Sequence, residues 1–164
     1  MRPLKLVMTG FESYRDKTEI NFEDLGKNGL YLIAGDTGAG KTTIFDAITF
    51  ALYGSPSGTD RSVDMLRSHF ADENTPTVVE LEFEANGNKY KVIRNPDYER
   101  KVRRGNGTTK EPASAVLTYL SEKKDPVSGL SKVNEAVQTI LNLKKDQFCR
   151  IAMIAQGSFQ KLLL

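Results

Sequence analysis

Eight consecutive residues have the types and spacing needed to hold a chain of phosphates. Gly35, Asp36, Thr37, Gly38, Ala39, Gly40, Lys41 and Thr42 satisfy G-x-x-x-x-G-K-[ST]. The glycines let backbone N–H groups converge on phosphate oxygens, and a helix starting at the loop's end directs its positive pole at the same point. Lys41 adds a cation for the β and γ phosphates, the Thr42 hydroxyl is placed to ligate Mg²⁺, and Thr43 extends the candidate contacts. The chemistry implied is binding of a nucleoside triphosphate, ATP with Mg²⁺ being the first expectation.

Such a loop is expected between a strand and a helix. Leu30 to Ala34 is a short apolar run that predicts a strand covered on both faces. Thr43 to Tyr53 carries Ile44, Ala47, Ile48, Ala51 and Leu52 at helical spacing, and Gly54 is placed to end that helix. Two strands are expected to precede the unit, roughly Pro3 to Phe11 and Thr18 to Phe22, with a polar turn around Asp16. After it, Val79, Leu81, Phe83 and Ala85 alternate with Glu80, Glu82 and Glu84, and Asn86-Gly87 offers a two-residue turn. That turn predicts a hairpin over about residues 77–94 in which Ala85 faces Asn88, Glu84 faces Lys89, Phe83 faces Tyr90, Glu82 faces Lys91 and Leu81 faces Val92. Every pair is favourable. Ala115 to Leu120 reads as a further strand able to return to the same sheet, Ser131 as the cap of one helix and Asp146 as the cap of the next.

The 164 residues, 39% of them hydrophobic, are enough for one core and one domain. The longest apolar run, Ile151 to Ala155, is too short to span a bilayer, so no membrane partner is expected. A single cysteine, Cys149, rules out an internal disulfide or a cysteine-based zinc site and fits a reducing, cytoplasmic setting. His69 has no ligand-type neighbour in sequence. The net charge of +2 hides an asymmetry: Arg100, Lys101, Arg103, Arg104 and Lys110 fall within residues 100–110 with no acid among them, leaving the rest of the chain net negative. Such a run can mark a polyanion site or a solvated surface.

A phosphate loop alone does not choose among nucleotide-binding classes. The guanine-reading order N-K-x-D is absent, since Asn142-Leu143-Lys144-Lys145-Asp146 has its residues in the wrong sequence, and no run of four apolar residues ends in an acid to give a Walker B strand. A self-contained small P-loop kinase is the alternative reading. It needs an acidic general base and an arginine-rich lid; Arg100 to Arg104 could imitate the lid, but no base accompanies them.

Three further motifs carry a resemblance. The opening Pro3-Leu4-Lys5-Leu6 through Gly10-Phe11-Glu12-Ser13-Tyr14 with Ile20-Asn21-Phe22, the segment Lys41 to Gly54, and Asp146-Gln147-Phe148 followed by Ile154-Ala155-Gln156-Gly157-Ser158-Phe159 are similar, in that order, to the start of SbcC-type, SMC-like ABC ATPases of DNA double-strand-break repair. The resemblance implies an α/β fold: the N-terminal lobe of an ABC-ATPase-like P-loop NTPase head, with an antiparallel β-subdomain beside the P-loop strand and helix. It implies a Q-loop at about 154–159, where Gln156 reaches Mg²⁺ and the attacking water, and base-side contacts from Ser13 and Tyr14. It further implies a C-terminal lobe of the same polypeptide that supplies Walker B and the signature motif, a second head joined in an ATP-dependent dimer, an SbcD-type nuclease, and double-stranded DNA contacted without sequence preference. The basic residues Arg100, Lys101, Arg103, Arg104 and Lys110 are the candidates for that DNA contact. On this reading the chain is a piece of a longer polypeptide, a coiled coil is expected just after residue 164, and the piece alone is expected not to turn over ATP.

Overall fold

Alternating burial along one strand organises the molecule. In the computed structural model, which describes residues 1–26, 32–58, 62–102 and 107–152, Val79, Leu81 and Phe83 of strand β3 (Val78–Ala85) are fully buried while Glu80, Glu82 and Glu84 point the other way. β4 (Asn88–Asn95) returns through the Asn86-Gly87 turn with Ala85 opposite Asn88, Phe83 opposite Tyr90 and Leu81 opposite Val92. This is the register the two-residue turn predicts, and Phe83 stacks on Tyr90 with ring centroids 5.3 Å apart. β1 (Arg2–Thr9) pairs with the other edge of β3 and carries β2 (Thr18–Asn21) outside it. Beyond β4 come β7 (Ser114–Tyr119) and the two-residue β8 (Val127–Ser128). The sheet order is β2-β1-β3-β4-β7-β8, and every pairing in it is antiparallel. β5 (Tyr98–Lys101) and β6 (Thr108–Glu111) form a separate small hairpin inserted between β4 and β7.

One face of the large sheet is the core. Leu6, Met8, Leu81, Phe83, Val92 and Leu117 share one buried cluster with the helix α1 (Lys41–Tyr53), whose Phe50, Ala51 and Leu52 are sealed from solvent. The opposite face is an exposed ladder of charge: Lys5 meets Glu19 at 2.7 Å, Lys91 meets Glu80 at 2.7 Å, and Arg2 meets Glu84 at 2.8 Å. Surface pairs of this kind add little stability one by one, but they keep that face wet.

α1 is more deeply buried than an amphipathic stripe predicts. Besides the apolar stripe, Thr43, Asp46 and Thr49 are almost inaccessible. The Asp46 carboxylate accepts the Ser57 backbone N–H at 2.8 Å and the Ser57 hydroxyl at 2.5 Å, pulling the chain after the helix back over it. Gly54 closes the helix at φ +76°, its N–H bonded to the Phe50 carbonyl at 2.7 Å.

Three expectations change. No strand forms at residues 32–36, where the backbone has no regular structure and Leu32 is 93% exposed; Leu30 and Tyr31 lie outside the described residues. A doubly covered strand needs neighbours on both sides, and no strand of the sheet pairs with residues 32–36. Helix α2 (Leu130–Leu141) begins after Gly129 at φ +105°, which places Ser131 inside the first turn instead of at the cap. Helix α3 (Lys145–Ala152) likewise starts one residue before Asp146, and the Gln147 side chain reaches back to accept the Lys144 N–H at 3.0 Å. Asp146 still complements the helix dipole from the first turn.

Candidate functional site

The phosphate-loop residues lie together at the start of α1. Gly38 and Gly40 take left-handed φ angles of +86° and +82°, and Gly40 is the residue from which the helix departs. Glycine is favoured at position 40 by its left-handed angle, and a Cβ there would be tight as well, 3.1 Å from the Tyr14 ring and 3.2 Å from the Ser13 side chain. Ser13 and Tyr14 are thereby placed against the loop, and the Tyr14 hydroxyl donates to the Gly40 carbonyl at 3.4 Å. Burial raises the Tyr14 pKa, so this phenol stays protonated at neutral pH.

The electrostatics suit an anion. α1 has thirteen residues, no side-chain cap and no acid of its own in its first turn, so its free N–H groups and positive end open onto the loop. Lys41 folds back into the loop, its ammonium donating to the carbonyls of Gly35 and Asp36 at 2.6 Å each. The Ala39 N–H closes a turn onto the Asp36 carbonyl at 3.1 Å, and Thr42 is exposed at the mouth. Thr43 behaves differently from its neighbour: its buried hydroxyl donates to Glu12 Oε2 at 2.8 Å, tying the helix to the left-handed turn after β1, where Glu12 has φ +45°. Sequence reasoning does not anticipate that tie, although a glutamate following the turn glycine Gly10 and a threonine-rich helix start are both there to be noticed. The residues present thus fit a magnesium-bound polyphosphate: exposed backbone at a helix N-terminus, one long-armed cation and one accessible hydroxyl.

The basic run is less free than its composition indicates. β5 and β6 pair Tyr98 with Glu111 and Lys101 with Thr108, which brings acids from outside residues 100–110 against the bases. Arg100 Nε meets Glu111 at 2.5 Å, and Lys110 meets Asp97 at 2.5 Å. The Lys110 ammonium is held above the usual lysine range by that carboxylate, and Asp97 is held below the usual aspartate range in return. Lys101 is exposed and pairs with no carboxylate among the described residues. Arg103 and Arg104 lie outside the described residues, as do Gln156 and the rest of the expected Q-loop.

A phosphate loop opening onto an uncapped helix, with that helix laid across a sheet, defines a nucleotide-binding class, and the chain belongs to it: a profile of the AAA domain matches residues 5–164. Within that family the resemblance to SbcC-type proteins runs along nearly the whole chain. It is 40% identical to the SbcC subunit of the nuclease SbcCD from Vibrio cholerae serotype O1, over 99% of this chain and 16% of that protein. It is 38% identical to the SbcC protein of Staphylococcus saprophyticus and 40% identical to that of Staphylococcus aureus strain MRSA252, each over 100% of this chain and 16% of the relative. The chain spans about one sixth of the curated relatives it matches. No described helix is long and apolar enough to cross a membrane.

Proposed function

We propose that this chain is the nucleotide-binding N-terminal lobe of a cytoplasmic SbcC-type ATPase, coupling Mg-ATP binding and hydrolysis to DNA end processing by an SbcD-type nuclease. The observation that carries the reading is the glycine-rich loop at the uncapped start of α1, with Lys41 held inside the loop by two carbonyls it can exchange for phosphate oxygens. Gly35, Asp36, Thr37, Gly38, Ala39, Gly40 and Thr43 form the cradle; Lys41 serves the β and γ oxygens, and Thr42 and Gln156 serve the metal. A C-terminal lobe of the same polypeptide supplies Walker B and the signature motif, and a second head completes the site in an ATP-dependent dimer. The segment around the β5–β6 hairpin contacts the backbone of duplex DNA, with Lys101, Arg103 and Arg104 contributing more than the ion-paired Arg100 and Lys110.

Lys41→Ala tests the reading. In equilibrium binding it should weaken ATP far more than ADP, since charge-assisted bonds to the γ phosphate are lost only with the triphosphate. Equal losses for both nucleotides would remove Lys41 from the assigned role. Sustained turnover by the 164-residue chain alone, abolished by the same substitution, would favour a self-contained small P-loop kinase or ATPase instead.

A further inference from the structure

Arg94 is the largest fully buried side chain among the described residues, 1% exposed, and it sits on the apolar face of β4. Its Nε donates to the Ala51 carbonyl at 3.1 Å and its Nη2 to Asn134 Oδ1 at 2.8 Å. A guanidinium has five N–H donors, so the two on Nη1 and one on Nη2 remain. No carboxylate pairs with Arg94 among the described residues, and burial pushes its pKa down to about 10, so it remains a cation at neutral pH. Buried charges are ordinarily paired.

The spare donors are not walled in. No nitrogen of Arg94 is both sealed from solvent and unbonded, and the side chain lines a cavity of about 230 Å³ with Phe50, Val63, Pro96, Ala113 and Leu130. Gly54 and Asn134, against which the guanidinium lies, line it as well, with Nη1 2.6 Å from where a Gly54 Cβ would be. The rest of the wall is mostly apolar; Asn95 also lines it, with its amide N–H groups already donated to the Pro96 and Pro112 carbonyls and its oxygen bonded by Ser114. One buried cation with a fork of free N–H groups suits a planar monoanion, and apolar walls suit a short hydrocarbon attached to it; a phosphate dianion would need more donors than the cavity offers. We propose that the cavity closed by Arg94, Gly54 and Asn134 is a binding site for a carboxylate on a short apolar stem. The site stands apart from the phosphate loop, at the opposite end of α1.

The carboxylate can come from a free small acid or from an acidic side chain of a longer polypeptide, and the test separates the two. Sodium propionate, titrated against sodium chloride at equal ionic strength, should raise the melting temperature of the 164-residue chain saturably, by roughly 3–6 °C at tenfold excess over its dissociation constant. Neutral propionamide should not. Arg94→Met is the direct variant, but it also strips the Ala51 carbonyl of its partner and can fail to fold. Ala113→Leu fills the cavity and leaves Arg94 bonded, so it should abolish the propionate shift while the protein stays folded. Repeating the titration on the full-length polypeptide identifies the source: a retained shift assigns the cavity to a free acid, and a shift present only in the 164-residue chain assigns it to an acidic side chain elsewhere in the polypeptide. No shift in the 164-residue chain, an equal shift with propionamide, or a shift that survives Ala113→Leu would each overturn the proposal.

Discussion

Gly54→Ala and Gly87→Ala place the same methyl group on two backbones of nearly the same shape, φ +76° and +79°. At Gly87 an added Cβ meets nothing within 4 Å, so Gly87→Ala incurs only the cost of a left-handed L-residue, about 1–2 kcal/mol. At Gly54 the Cβ would lie 2.6 Å from Arg94 Nη1, inside any permitted contact. The guanidinium must move, and it is held by the Ala51 carbonyl and by Asn134. Losing one of these charged hydrogen bonds adds about 1.5–3 kcal/mol, for a total of about 2.5–5 kcal/mol. For a chain of 164 residues this corresponds to a drop in melting temperature of roughly 2–8 °C for Gly87→Ala and roughly 5–20 °C for Gly54→Ala. Thermal unfolding followed by circular dichroism measures both, and Asn134→Ala combined with Gly54→Ala should give less than the sum of the single losses because the two share Arg94. Equal destabilisation by the two alanines, or strict additivity with Asn134→Ala, would refute the claim that Gly54 is kept small to admit Arg94.

Three other outcomes are expected. Glu19, Glu84, Asp72 and Asp97 are each held below their ordinary pKa, Glu19 first by its hydrogen bond from Lys5, Glu84 first by that from Arg2, Asp72 first by the Asn74 N–H and Asp97 first by that from Lys110. Their contribution is present above the unfolded values of 4.5 and 3.8 and is lost as pH falls through the lower folded ones, so melting temperature should decline once the solution is taken below about pH 4.5 and should be insensitive to these groups between about pH 6 and 8. Leu32→Ser should leave thermal stability within about 0.5 kcal/mol of the parent chain, because that side chain is 93% exposed; a large loss would mean that residues 32–34 are packed after all. Replacing Arg100, Lys101, Arg103 and Arg104 by alanine in the complete head should flatten the salt dependence of duplex binding, by about 0.9 in the log–log slope for every phosphate no longer neutralised, without changing ATP binding. Lys101→Ala alone should flatten it more than Arg100→Ala, whose side chain is already engaged by Glu111, and an unchanged slope in the quadruple variant would place the DNA surface elsewhere.

What could be read from the sequence was local. The 78–95 hairpin followed from a two-residue turn and strict alternation, because its partners are fixed by near neighbours, and the helix after the glycine-rich loop followed from its apolar spacing and the glycine that ends it. The failures required information from farther away. Residues 30–34 have the composition of a strand, but a strand exists only with something to pair with, and no strand of the sheet pairs with residues 32–34. The basic run reads as uncompensated because its acids, Asp97 and Glu111, fall just outside it and reach it only through the β5–β6 pairing. Arg94 passed as an ordinary strand residue. Its signal was its parity: it shares a face with Tyr90 and Val92, both buried, so an arginine was due in the core. The relation of Gln156 to the phosphate loop is a further long-range question, and it falls outside the described residues.

The turn that made the hairpin legible also reaches the other layer. Asn86 Nδ2 donates to the Ile140 carbonyl at 3.0 Å, across 54 residues, in the last turn of α2. That helix has no side-chain cap at its start, and its end is formed by Asn142 in a left-handed conformation. Part of its C-terminal cap is therefore supplied by the hairpin, which closes through contacts between near neighbours on the microsecond scale. A helix completed by a distant turn cannot make that hydrogen bond until the turn exists, so this part of the α2 cap is absent wherever the hairpin is open.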